Sequence, residues 1–213
     1  MDPKSEAIRN AWQYLRYGNN DEFQNIFEKN SQYMGPDSYI TEEGVEQQTF
    51  LMIAAYSNSK NALEYLVGKG ANVEARNFNG YSALHFAAQS GAMDAITFLA
   101  NLPENKGSTD SRNQRKINID CRTTDGKTPL FIAASRGHIE AVNYLLSMGA
   151  EVDASDSEGY TPLMAALIGN HKKVVETLVS KNAEVFHMTA NKLTPSIIAT
   201  EYKRTWFKEK YIH

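Results

Sequence analysis

A chain of 213 residues with 42% hydrophobic and 22% charged side chains suffices for one globular core or a short array of repeats. Its formal net charge of −3 offers no general attraction to nucleic acid or anionic membrane, and its single cysteine, Cys121, excludes an intrachain disulfide. No apolar run approaches the roughly 18 residues that span a bilayer. These features point to an intracellular, cytoplasmic protein, with the nucleus as the alternative compartment.

The opening MDPKSEAIRN carries an acid at position 2 and no apolar h-region, so it does not read as a secretory signal. Ile8, Trp12 and Leu15 share one helical face, Gly18 interrupts it, and Phe23, Ile26 and Phe27 form a second stripe. The expectation is a degenerate helix pair that caps a stack, followed by the polar connection NSQYMGPDSYITEEG, together residues 1–45.

From here one pattern recurs. Thr49-Phe50-Leu51 is followed by Ser82-Ala83-Leu84, Thr128-Pro129-Leu130, Thr161-Pro162-Leu163 and Thr194-Pro195-Ser196, in steps of 33, 46, 33 and 33 residues. A fixed period means units too small to bury their own apolar face, which must stack. Each sub-signal has a local task. Asn79-Gly80, Asp125-Gly126 and Glu158-Gly159 are turn tips where glycine takes a positive φ. The Thr-Pro step caps and opens a first helix. The pairs Ala54-Ala55, Ala87-Ala88 and Ala133-Ala134 allow close helix approach, and Gly91 and Gly137, or Asn58 and Asn170, end that helix. An amphipathic second helix follows, as in Leu63, Leu66 and Val67, in Ile96 and Leu99, in Ile139, Val142, Leu145 and Leu146, and in Val175, Leu178 and Val179. Gly70-Ala71, Gly149-Ala150 and Asn182-Ala183 close it.

The motifs SALHFAA, TPLFIAA and TPLMAAL at this period resemble the ankyrin repeat, over about residues 46–200. The resemblance implies an all-α repeat solenoid, a stack of helix pairs joined by β-hairpin-like loops with degenerate capping units at both ends. The expected division is one domain over residues 1–213, with repeats at 46–79, 80–125, 126–158 and 159–191 and a C-terminal capping repeat at 192–213. The long step places a polar insertion at about residues 103–115, read as a solvated loop or as an added partner contact. Lys192 and Lys203 stand where glycine belongs, so the last unit is expected to be distorted. Trp206, Phe207, Tyr211 and Ile212 are expected to cover its core.

No chemistry-bearing constellation stands out. Cys121 falls at an inward step as a buried thiol, and His85 fills the histidine of the repeat motif, where the family uses it for structural hydrogen bonds. His138 and His171 occupy equivalent positions in adjacent repeats, too far apart to share a metal. The VGKG around Lys69 lacks P-loop spacing, and the basic-aromatic tail YKRTWFKEKY reads as cap packing. No catalytic residue, cofactor or metal is expected, nor nucleic-acid binding or membrane insertion.

Stacking instead aligns exposed non-motif residues in columns, on a concave surface of hairpin tips and first helices. By resemblance these are the positions ankyrin repeats use to hold protein partners. At the first-helix ends they are Tyr56, Gln89, Ser90, Ser135, Arg136 and Ile168; at the tips, Phe78, Asn79, Tyr81, Asp125, Lys127, Glu158 and Tyr160. The expectation is a non-enzymatic protein-interaction module, monomeric on its own, that binds a protein partner. Its alternatives are a regulatory or targeting subunit of a larger assembly, or an enzyme whose site is built by the insertion or the termini.

Overall fold

The computed structural model describes residues 3–42, 45–102 and 117–212. The chain divides into two compact units, Met1–Asn118 and Ile119–His213. The expected insertion at 103–115 lies outside the described residues.

In the first unit, α1 (Pro3–Arg16) and α2 (Asn20–Lys29) form the expected N-terminal pair. Its buried face differs from the expected one: Ala7, Ala11 and Leu15 point inward while Ile8 and Trp12 are half-buried. Small residues let α1 lie close against the next helix, which larger ones would hold off. The polar connection that follows supplies the first strand of a two-stranded sheet. Strand β1 (Tyr39–Glu42) pairs antiparallel with β2 (Val45–Thr49), with a bulge between Ile40 and Glu42. Helices α3 (Phe50–Tyr56) and α4 (Lys60–Gly68) then make the first repeat, and α5 (Ala83–Ser90) and α6 (Met93–Ala100) the second. First helices pack in one row, α1 on α3 and α3 on α5; second helices α2, α4 and α6 pack in another. The N-terminal pair is joined to the repeats by an aromatic cluster in which Phe23 lies 5.5 Å from Phe50 and 6.1 Å from Tyr65 between ring centroids. Outside that cluster, the Glu28 carboxylate pairs with Lys69 at 2.6 Å and accepts from the Tyr65 hydroxyl at 2.6 Å.

The second unit repeats the plan with α7 (Pro129–Arg136), α8 (Ile139–Ser147), α9 (Pro162–Ile168), α10 (Lys172–Ser180), α11 (Pro195–Glu201) and α12 (Thr205–Tyr211). Helix α9 packs between α7 and α11, and α10 packs on α8 and α9. The caps are those the motif demands. Thr128, Thr161 and Thr194 accept the amides of Phe131, Met164 and Ile197, and proline follows each at the first helical position. In the first unit Thr49 does the same for Met52, whereas the amide of Ser82 donates to Nδ1 of His85 at 3.1 Å. His85 is completely buried, and this bond is the structural role expected of it.

The hairpin tips are pinned by a device absent from the motif. One side chain at each tip, Asn77, Thr123, Asp156 or Thr189, accepts the backbone amide four residues later. Neighbouring repeats are tied by carboxylates. Asp120 accepts the amide of Glu151 at 3.1 Å, Asp153 that of Glu184 at 3.1 Å, and in the first unit Asp37 that of Asn72 at 2.7 Å. Gly126 shows why one tip must be glycine: its φ is +78°, and a Cβ there would lie 2.9 Å from the amide nitrogen of Ser157.

The last unit is not distorted. Lys192 and Lys203 adopt φ of 61° and 58°, the left-handed conformation glycine would have taken, and α11 and α12 form in register. Arg204 helps to hold that geometry: its Nε and Nη2 donate to the carbonyls of Leu167 and Ile168 at 3.1 and 3.2 Å, closing the end of α9. Of the expected terminal cover only Phe207 is fully buried; Trp206, Tyr211 and Ile212 are half-buried. Lys172 sits 5.3 Å above the Trp206 ring, and Lys210 pairs with Glu176 at 3.0 Å.

Candidate functional site

In the first unit, packing of α3 on α5 brings two candidates together. Tyr56 and Gln89, each near the end of its first helix, line a pocket of about 220 Å³ with Gln48, Ile53 and Phe86. Helix α1 completes the wall with Trp12 and Arg16, two residues that the repeat register does not mark. Their signal was an aromatic and a cation one helical turn apart on α1, a spacing that reads equally well as cap packing.

Ser90 does not join them, because its hydroxyl bonds the carbonyls of Phe86 and Ala87 in its own helix. Nor do the tip residues. Phe78 stands 71% exposed at the tip. Asn79 is held by Asn77, whose side-chain oxygen accepts the amides of Asn79 and Tyr81 at 3.1 and 2.8 Å. Tyr81 turns back onto its own repeat, 5.6 Å from the His85 ring and 5.7 Å from Phe86. Tyr81 is accordingly half-buried against its own repeat.

In the second unit Lys127, Ser135, Glu158, Tyr160 and Ile168 line one groove of about 350 Å³, over Phe131, Asp156, Ala165 and Gly169. Five candidates from tips and helix ends thus converge. The floor is apolar, since Phe131 and Ala165 are buried, and the rim carries one cation and two carboxylates. Desolvation and the neighbouring Glu158 push the Tyr160 hydroxyl above its ordinary range. Asp125 and Arg136 are exposed beyond the groove. The Asp125 carbonyl accepts the amide of Ser157 at 2.8 Å, and its carboxylate lies 3.5 Å from Lys127.

His171 and Cys121 serve the fold. The His171 ring fits between Gly137 and Gly169, with Nε2 donating to the carbonyl of Ser135 at 3.0 Å. Cys121 is buried, as its inward position implied. Among the described residues no group of three or more His, Cys, Asp or Glu could hold a metal ion, and no helix is long and apolar enough to cross a membrane.

Among curated proteins no relative matches the chain. A family model described as ankyrin repeats, three copies, matches residues 15–113 and 109–189. The two matches take in the helix pairs α3–α4, α5–α6, α7–α8 and α9–α10, while α11–α12, the Thr194 cap and most of α1 lie beyond them. The chain is an all-α repeat solenoid and belongs to the ankyrin-repeat family.

Proposed function

We propose that the chain is a non-enzymatic module that binds a protein partner through its first-helix ends and hairpin tips. Ankyrin repeats are in general protein–protein interaction modules. The observation that carries the reading is the convergence of Lys127, Ser135, Glu158, Tyr160 and Ile168 on one groove. None of the five belongs to the repeat motif, and an apolar floor with a polar rim is how protein interfaces are built.

The test begins with capture of partners from native extract by the full chain, identified by mass spectrometry. Alanine variants at Phe78, Tyr81, Arg136 and Tyr160 are then compared with outer-helix variants at Glu140 and Glu176, after their melting curves are matched. At least one of the first set should lose about thirtyfold in affinity, equivalent to about 2 kcal/mol. Retention of full affinity by all four would sink the reading.

A further inference from the structure

We infer that the pocket between α1, α3 and α5 receives an acidic residue of the partner polypeptide, flanked by an apolar side chain. The inference rests on the reading of the chain as a protein-binding module and names the chemistry of what one of its sites takes.

Charge carries the assignment. Of the seven residues that line the pocket, Arg16 alone is charged. Its guanidinium is exposed and lies 4.9 Å from the centre of the Trp12 ring. No carboxylate among the described residues pairs with it, although the chain as a whole has more acids than bases. Arginine laid on an aromatic face is partly ordered before any ligand arrives, and its planar fork matches a carboxylate with two parallel hydrogen bonds. A lone cation is a poor anchor for a nucleic-acid backbone, which needs several.

Size and polarity say what accompanies the carboxylate. About 220 Å³ is less than the roughly 300–1,000 Å³ of sites for drug-sized molecules, and suits one or two side chains. Ile53 and Phe86, 4% and 8% exposed, supply an apolar floor, while Tyr56 remains 48% exposed at the edge. Gln48 adds an amide for a passing backbone, and Gln89 also lines the pocket. Among the described residues the buried indole N–H of Trp12 has no acceptor.

The test uses the full chain, panned with a phage-displayed library of random short peptides. Enriched peptides are synthesised and titrated into the Trp206→Phe variant, in which Trp12 is the sole tryptophan. The expected peptides carry Asp or Glu beside an aliphatic or aromatic residue and change the Trp12 emission. Arg16→Gln should weaken them about tenfold or more, with Arg16→Lys restoring only part. Replacing the peptide's own carboxylate by its amide, on the unaltered chain, should cost a similar factor. Peptides without an acid, affinity indifferent to both changes, or no enrichment at all would overturn the assignment. Peptides that respond to Tyr160→Ala but not to Arg16→Gln would also overturn it, yet leave the module reading standing; the extract capture judges that reading by itself.

Discussion

The imidazole of His171 occupies the space that a Cβ on Gly137 would need. Gly137 ends α7 at a φ of +78°, and His171 begins the second helix of the following repeat. The glycine thus serves two repeats, by turning its own chain and by admitting the ring that bonds Ser135.

Gly137→Ala should therefore cost more than its backbone strain. Left-handed alanine costs about 1–2 kcal/mol, and displacing the ring forfeits a hydrogen bond of about 1 kcal/mol. Gly149, at φ +91° with open space around it, provides the control for strain alone. Chemical denaturation should rank Gly137→Ala below Gly149→Ala in stability by about 1 kcal/mol. The gap should vanish in a His171→Ala background.

Replacing lysine by glycine at 203 should stabilise the protein. The backbone there already has the glycine conformation, at φ 58°. Removing the Cβ penalty is worth about 0.5–1 kcal/mol after the entropy of the freer unfolded chain is counted. Thermal melting should rise by a few degrees at most, about 2–4 °C per kcal/mol for a chain of this size. Lys203→Ala should give no rise, and a rise with alanine would show that charge, not conformation, governs the site.

Arg204→Ala should expose the end of α9. Two carbonyls lose their donors, a change of about 1–3 kcal/mol for charge-assisted bonds at a half-buried site. Lysine cannot reach both oxygens with one fork, so Arg204→Lys should resemble alanine. Urea melts decide the matter: full stability in Arg204→Lys would mean that water already satisfies one carbonyl.

Acid should weaken the N-terminal cap through Glu28. Lys69 first, and then the Tyr65 hydroxyl, hold its carboxyl below the ordinary value of 4.5. A group with a depressed folded pKa contributes stability above its unfolded value, and that contribution fades as pH falls through the lower folded value. The stability gap between the unaltered chain and Glu28→Gln should be widest near neutrality, close below pH 4.5 and shrink with added salt. A gap constant from neutrality to strong acid would assign the role of Glu28 to packing.

The repeat register was legible because glycine, proline and small residues announce themselves at fixed spacing. Asn58 and Asn170 could even be matched to Gly91 and Gly137, and all four take a positive φ. What escaped has physical causes. Strand β1 buries Ile40 but has no alternating apolar run, so nothing in Tyr39–Glu42 separates it from a loop. Ala7 and Ala11 are the buried face of α1, and alanine gives no hydrophobic stripe beside Trp12. Lys192 and Lys203 looked like faults because side-chain identity reports preference, while neighbouring caps determine the conformation. The surface columns were legible in part. Tyr56 and Gln89 share a pocket, as do five residues of the second unit, but Arg16 came from outside the period that defined the columns.

Asp120 and Asp153 each reach a backbone amide 31 residues on. An amide nitrogen is the same at every residue except proline, so the receiving position places almost no demand on side-chain identity. The joint is in effect a standard fitting. A duplicated or exchanged repeat would meet the carboxylate it needs without any matching change in its neighbour. Variation can then accumulate in the exposed columns without loosening the seams, and the chain can change what it recognises while its construction stays the same.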